Sequence, residues 1–154
     1  ALDIMKKITE LNPEHAHALN FIAYYYAEKG ENLEEAEEKA KKALSLRPND
    51  GYITDTFAWV KFKKGEIEDS LDKLEKAAQL IPDEAIVFEH MGDVYSAKND
   101  KDKALSNYKK AAELAKGKDQ DIMKKVEKKL ALIEGNSVSG KSGVRTPSNE
   151  KLKK

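Results

Sequence analysis

The stretch that decides the fold is residues 83–116, DEAIVFEHMGDVYSAKNDKDKALSNYKKAAELAK. Its first half places apolar or small residues at intervals of three, one and three, at Phe88, Met91, Gly92 and Tyr95. Its second half shows another helical spacing, at Ala104, Tyr108, Ala111 and Leu114. Such intervals put side chains on one face of an α-helix, so the stretch predicts two amphipathic helices. Gly92 and Tyr95 are expected to be buried where these helices cross.

The same unit recurs along the chain. Pro13, Pro48 and Pro82 lie 35 and 34 residues apart, and each follows an apolar helical segment. Proline lacks the amide hydrogen that a helix needs and disfavours helix in the residue before it, so each marks a helix end. Gly30 and Gly65 fall midway between the prolines, where the chain must leave one helix and reverse. The period predicts helix, tight turn, helix and short loop in every unit.

Equivalent positions carry matching residues in the other two units. In the first helices they are Leu19, Ile22, Ala23 and Tyr26, then Thr54, Phe57, Ala58 and Lys61. In the second helices they are Ala36, Ala40, Ala43 and Leu46, then Ser70, Leu74, Ala77 and Leu80. Small residues let helix backbones approach closely, and large residues fill the space between them. The middle unit departs most from the pattern, and the first has one extra residue in its turn.

The period, the pattern of small and large residues and the closing proline resemble the tetratricopeptide repeat family over residues 1 to 134. The resemblance implies an all-α solenoid of antiparallel helix pairs. Its expected parts are a half repeat at 1–13, full repeats at 14–48, 49–82 and 83–116, and a capping helix at 119–134. Because residues 1–13 fit the second helix of a repeat, we expect the array to begin further upstream.

The predicted capping helix carries an apolar stripe at Ile122, Val126, Leu130 and Ile133. We assign Lys124, Lys125, Lys128 and Lys129 to its opposite, solvent-facing side. A half-polar helix of this kind covers the last apolar surface of an open-ended stack. Residues 135–154 have almost no apolar content and a net charge of +4, against −4 for residues 1–134, so they are expected to form a flexible basic tail.

Composition narrows the classes of function. The 154 residues include no cysteine, which excludes disulfides and cysteine-ligated metals and slightly favours a reducing compartment such as the cytoplasm. A periplasmic or membrane-associated location through an upstream segment is the alternative. The acidic body argues against nucleic-acid binding. No apolar run approaches the roughly 20 residues that a membrane span needs.

Two motifs lack the context that their chemistry needs. Residues 135–142, GNSVSGKS, match the phosphate-binding loop, but that loop requires a strand before it and a helix after it. His15 and His17 are two residues apart at a helix start, so their side chains diverge, and His90 belongs to another repeat. We therefore predict no metal, no cofactor and no catalytic residues, and expect that the chain is not an enzyme.

In the family that the chain resembles, the first helix of each repeat contributes to a concave, peptide-binding wall. Carried over position by position, this implies a groove of His17, Asn20, Phe21, Tyr24, Glu28, Tyr52, Asp55, Thr56, Trp59, Phe62, Lys63, Ile86, Glu89, His90 and Asp93. Four of its aromatic residues, Tyr24, Tyr52, Trp59 and Phe62, either form an exposed binding surface or are buried by neighbouring helices. Both interpretations are open at this point.

The groove residues also indicate the ligand. Family members that clamp the C-terminal carboxylates of chaperones have Lys, Asn, Asn, Lys and Arg where this chain has Asn20, Tyr24, Thr56, Ile86 and His90. One match in five argues against that role. Acidic residues beside aromatic ones favour a basic, partly apolar peptide.

The chain itself contains such a peptide. Its tail brings Lys141, Arg145 and Lys151, with Val144 and Leu152 as apolar anchors. Fully extended, a tail of this length could span about 66 Å. We therefore expect a non-catalytic, bacterial protein–protein interaction scaffold whose tail binds its own groove or a neighbour's and promotes self-association. The alternative is a structural unit that polymerises by end-to-end stacking of repeats.

Overall fold

The computed structural model describes residues 1–135, which form eight α-helices. Their bounds are α1 Leu2–Leu11, α2 Ala16–Lys29, α3 Leu33–Leu46, α4 Gly51–Lys63, α5 Ile67–Leu80, α6 Ala85–Ala97, α7 Lys101–Ala115 and α8 120–135. The all-α prediction is confirmed. The predicted tail ligand (Lys141, Val144, Arg145, Lys151 and Leu152) and all but the first residue of the phosphate-loop match lie outside the described residues.

The helices pack in antiparallel pairs, α2 with α3, α4 with α5 and α6 with α7. Successive pairs stack through contacts of α3 with α4 and of α5 with α6. The first helices also contact one another, α2 with α4 and α4 with α6, whereas within residues 1–135 the second helices of neighbouring pairs do not. The stack therefore curves, and α2, α4 and α6 line its inner side. We call this surface the concave wall.

The turns inside the repeats pass through left-handed backbone conformations. Gly65 has φ 88°, and Asn99, which tolerates this region better than most residues, has φ 65° at the equivalent place in the third repeat. In the first repeat two residues separate Gly30 from the next helix, whereas one residue follows Gly65. The additional residue is Asn32, which is itself left-handed with φ 49°.

The polar departures of the middle repeat are satisfied inside the protein. The Thr54 hydroxyl donates to the Asp50 carbonyl at 2.9 Å, and the Ser70 hydroxyl donates to the Ala58 carbonyl at 2.8 Å. Lys61 replaces an aromatic residue and donates to Glu37 of α3 at 2.5 Å. These bonds let the middle repeat keep the helix packing of its neighbours without leaving buried polar atoms unpaired.

The two ends of the stack differ. Helix α8 buries Ile122 and Val126 against α7, which confirms the predicted apolar stripe. At the other end, α1 packs Leu2 and Met5 against the first repeat but leaves Ile4 65 % and Leu11 80 % exposed. At the α6–α7 crossing Gly92 is buried as expected, whereas Tyr95 is only half-buried, because its ring lies at the edge of the crossing beside the exposed Lys103.

Candidate functional site

The fifteen residues predicted for the groove all lie on α2, α4 and α6, but their exposure differs widely. Five are buried: Asp55, Thr56, Trp59, Glu89 and His90. Seven are half-buried: Asn20, Phe21, Tyr24, Phe62, Lys63, Ile86 and Asp93. The remaining three, His17, Glu28 and Tyr52, are exposed. The structure brings most of them together in three neighbouring groups along the concave wall.

The central group is built around Trp59. Its indole ring stacks on the imidazole of His90, with ring centroids 4.0 Å apart and planes inclined by 15°. Its Nε1–H donates to Glu28 Oε1 at 2.8 Å. Phe62 lies beside the indole ring at 5.1 Å, and Tyr24 lies 6.1 Å from His90. Trp59 thus joins all three first helices.

The burial of Trp59 decides between the two interpretations of the groove aromatics at this position. Of the two, burial by neighbouring helices holds for Trp59, because α2 and α6 cover both its polar edge and one of its faces. Tyr52 is the aromatic residue that stays exposed. Its hydroxyl donates to Glu84 at 2.6 Å, and this hydrogen bond, with some burial, raises the pKa of Tyr52.

His90 forms a buried pair with Asp55. Its Nδ1–H donates to Asp55 Oδ1 at 2.9 Å, and both side chains are almost completely shielded from solvent. Burial by itself lowers the pKa of His90, but the charge and hydrogen bond of Asp55, together with Glu89 and Asp93, outweigh it and raise the pKa above its ordinary value. The protonated ring then also interacts favourably with the face of Trp59.

The third group, around Glu89 and Asp93, contains Lys129, which was predicted to face solvent. Lys129 of α8 reaches the concave wall, where its Nζ lies 2.9 Å from Glu89 Oε2 and 2.9 Å from Asp93 Oδ1. Its assignment to the solvent side of α8 is wrong: seven residues are nearly two helical turns, so Lys129 points the same way as Ile122. Burial lowers the pKa of Lys129, but the two carboxylates outweigh it and raise the pKa.

Tyr108 completes this group without having been predicted as a site residue. Its hydroxyl donates to Asp93 Oδ1 at 2.6 Å, so Asp93 is held by a tyrosine and a lysine at once. Burial and this hydrogen bond raise the pKa of Tyr108. The signal that could have identified Lys129 was its seven-residue spacing from Ile122, whereas nothing in the sequence connects Tyr108 with Asp93.

The remaining group, at the first-repeat end of the wall, surrounds a cavity of about 300 Å³ between α2 and the start of α4. The residues that line it are His17, Asn20, Arg47, Asp50, Tyr52 and Ile53. The Oδ1 atom of Asn20 is itself shielded from solvent and accepts no hydrogen bond from any residue within 1–135. A buried carbonyl oxygen without a donor costs about 1–3 kcal/mol, so a donor that reached this atom would stabilise the protein.

Four other residues predicted for the groove lie beside these groups or are packed into the core. The ammonium group of Lys63 lies 5.3 Å from the ring centroid of Trp59. Ile86 packs into the apolar clusters on both sides of α6, and Thr56 is buried, so neither offers a ligand a free polar group. Phe21 is half-buried on α2.

The other candidate classes of site concern the histidines, metal ions and membrane spans. His15 Nδ1 accepts a hydrogen bond from the Ala18 amide at 3.2 Å and thereby caps α2. Residues 1–135 contain no group of three or more His, Asp and Glu side chains placed to hold a metal ion. None of the described helices combines the length and the apolar character that crossing a membrane requires.

Comparison with known proteins agrees with this geometry. A family model described as tetratricopeptide repeat matches residues 16–50 and 87–118, within which lie most of the predicted first and third repeats. These two stretches are tetratricopeptide repeats. Such repeats typically form non-catalytic scaffolds that bind other proteins.

The individual relatives extend the comparison. A TPR repeat-containing protein of Pseudomonas aeruginosa is 34 % identical over 55 residues, which span 36 % of this chain and only 9 % of that protein. The type III secretion translocator chaperone SycD of Yersinia enterocolitica superposes with a TM-score of 0.71, at 18 % identity, over 79 % of this chain and 93 % of that one. MamA superposes with a TM-score of 0.60, at 22 % identity, over 90 % and 89 %. Both structural likenesses show the fold alone.

Proposed function

We propose that the concave wall of this protein binds an extended, basic and partly apolar segment of a polypeptide. The observation that carries the proposal is the unpaired oxygen of Asn20, a residue that lines a cavity together with the exposed Tyr52. If the amide of Asn20 turns towards the cavity, a backbone N–H of an extended peptide would supply the missing donor, and the tyrosine ring would cover one of its apolar side chains.

The preference for a basic segment follows from the charges along the wall. Its four carboxylates, Glu28, Asp55, Glu89 and Asp93, exceed the cations that reach them from within residues 1–135. His90 pairs with Asp55, and a single lysine serves both Glu89 and Asp93. Glu28 is exposed and bonded to a neutral indole. The remaining negative charge favours a ligand with lysine or arginine.

The chain's own C-terminal segment has the required chemistry. Lys141, Arg145 and Lys151 supply positive charge, and Val144 and Leu152 supply apolar side chains. We propose it as one ligand of the wall, in the same molecule or a neighbouring one, which would make self-association part of the function. It also provides a defined probe, a synthetic peptide with the sequence of residues 136–154, called the tail peptide below.

The test measures binding of fluorescently labelled tail peptide to the full chain by anisotropy. Asn20→Ala should weaken binding about tenfold, the equivalent of one well-made hydrogen bond to a buried group. It should not destabilise the free protein, since it removes an unpaired oxygen. The matched control is Asn107→Ala, because Asn107 donates to a carbonyl within its own helix α7 and lies away from the cavity.

Two outcomes would count against the proposal. Unchanged binding by both Asn20→Ala and Tyr52→Ala would place the peptide elsewhere on the protein. A scrambled peptide of the same composition that bound equally well would show that net charge alone, and not the built site, attracts the tail.

A second candidate function, assembly by end-to-end stacking of copies of this chain, is favoured by the exposed apolar side chains at both ends. Ile4 and Leu11 on α1 and Leu132 on α8 are the large hydrophobic residues concerned. Light scattering of the full-length protein over a range of concentrations should then show assemblies larger than dimers, and Ile4→Glu should abolish them. A monomer at all concentrations would refute this function and leave peptide binding untouched.

A further inference from the structure

We infer that α8 competes internally for the concave wall, with Lys129 occupying the place where a basic side chain of the bound peptide is held. The inference rests on the proposed function, since it concerns how that same wall is opened. A peptide lysine or arginine would displace Lys129 from Glu89 and Asp93, and α8 would thereby set the affinity and selectivity of the site.

The contacts of Lys129 are those expected of a bound cation. Its ammonium group hydrogen-bonds to Glu89 Oε2 at 2.9 Å and to Asp93 Oδ2 at 3.0 Å, and it also lies over the ring of Tyr108. The Glu89 side chain is 6 % exposed and that of Asp93 19 % exposed, whereas Lys129 itself is 31 % exposed. The carboxylates are thus fixed parts of the wall, and the cation is its most accessible member.

The carboxylates of Glu89 and Asp93 would keep their positions if Lys129 moved away. Glu89 and Asp93 lie in the middle of α6, and Tyr108 of α7 continues to hold Asp93 through its 2.6 Å hydrogen bond. Lysine has a flexible four-carbon side chain, so rotation about its own bonds can move the ammonium group into solvent. The peptide therefore need not detach α8, whose Ile122 and Val126 remain buried.

The location of Glu89 and Asp93 on the wall fits a site that Lys129 and a bound peptide share. Glu89 and His90 are consecutive on α6, and His90 stacks on Trp59, which in turn bonds to Glu28 on α2. A peptide that enters at the cavity beside Asn20 and runs across α4 to α6 would reach the Lys129 place. The negative charge there would fix the position of a basic residue of the peptide.

The experiment compares Lys129→Met with Lys128→Met in the full chain. Methionine keeps an unbranched, apolar side chain and removes the charge, and Lys128 is an exposed lysine of the same helix, so both variants change the net charge equally. The probes are the tail peptide and a version with glutamine at the positions of Lys141, Arg145 and Lys151. Thermal melts recorded by circular dichroism establish that each variant is folded.

We expect Lys129→Met to bind the tail peptide about tenfold more tightly than the wild type, since the loss of one charge-assisted competitor frees both carboxylates. Lys128→Met should differ little from the wild type, and the glutamine peptide should gain nothing from either substitution. Lys129→Arg, which retains the competing cation, should keep wild-type affinity. This pattern would support internal competition.

Equal affinities of Lys129→Met and Lys128→Met for the tail peptide, or weaker binding by Lys129→Met, would overturn the inference. If binding in that case still depended on Asn20, the proposed function would stand without it. If the tail peptide bound to none of the proteins, both the proposed function and the inference would be refuted for this ligand.

Discussion

Replacement of Gly92 by leucine should strongly destabilise the third repeat. A Cβ atom at this position would lie 2.4 Å from both Cδ1 and Cε1 of Tyr108 and 2.9 Å from its Cζ. Carbon atoms in contact normally stay about 3.5–4.0 Å apart. The ring cannot easily move aside, because it is buried and its hydroxyl is bonded to Asp93. Helices α6 and α7 would have to separate.

The magnitude follows from two opposing effects. A glycine inside a helix costs about 1 kcal/mol relative to alanine, so alanine regains about that amount and leucine most of it. Overpacking of a tight core costs about 1–3 kcal/mol and occasionally more. Gly92→Ala should therefore destabilise by about 0–2 kcal/mol, whereas Gly92→Leu, with three further carbon atoms, should lose about 3 kcal/mol. For a chain of this size that corresponds to a fall in Tm of roughly 6–12 °C.

The assay is urea and thermal unfolding followed by circular dichroism. Ser96→Leu is the matched control, because Ser96 is exposed on the same helix and gains the same kind of side chain. Gly92→Leu combined with Tyr108→Ala should regain part of the lost stability, since the clashing ring is removed. Equal unfolding of Gly92→Leu and Ser96→Leu would refute the close approach of α6 and α7 at this position.

Four other predictions test separate parts of the structure. The raised pKa of His90 contributes stability that is complete below its unfolded value of about 6.5 and is lost as the pH rises through the folded value; urea unfolding should show this decline, and His90→Gln should reduce it. Asp50→Ala should cost about 1 kcal/mol of unfolding free energy, because Asp50 accepts from two amides at the start of α4. Calorimetry should show no magnesium-dependent ATP binding by either the wild type or Lys141→Ala, and micromolar binding would contradict the rejection of the phosphate-loop match. Trp59→Ala should weaken tail-peptide binding more than Asp93→Asn does, since Trp59 orients groups on three helices; equal effects in anisotropy titrations would argue against this.

The repeat architecture could be predicted because it follows from periodic features. The prolines and the three-, one- and three-residue spacing recur wherever a helix ends or packs against its partner. The small residues at Ala23, Ala58 and Gly92 indicated the crossings, and the structure buries all three. Such features are local, so a single sequence suffices to reveal them.

The arrangement of the wall could be predicted only in part. The repeat register predicted a set of residues on α2, α4 and α6 for the wall, but it could not show how side chains from different repeats cover one another. Trp59 is buried because Glu28 and His90, 31 residues away on either side along the chain, lie against it. Contacts of this kind depend on the angle between stacked repeats, which no local spacing encodes.

The divergence of the middle repeat has a physical explanation in these contacts. Its atypical Lys61 and the neighbouring Lys64 both bond to Glu37 of the preceding repeat, and these bonds lower the pKa of Glu37 to about 2. On the inner side, Trp59 connects α4 with both α2 and α6. A consensus repeat buries the same apolar face against each neighbour, whereas this one adds polar and ionic bonds to both. Lys61, one of the residues that weaken its resemblance to the family, therefore binds it to the first repeat, and Trp59 extends the contact to the third.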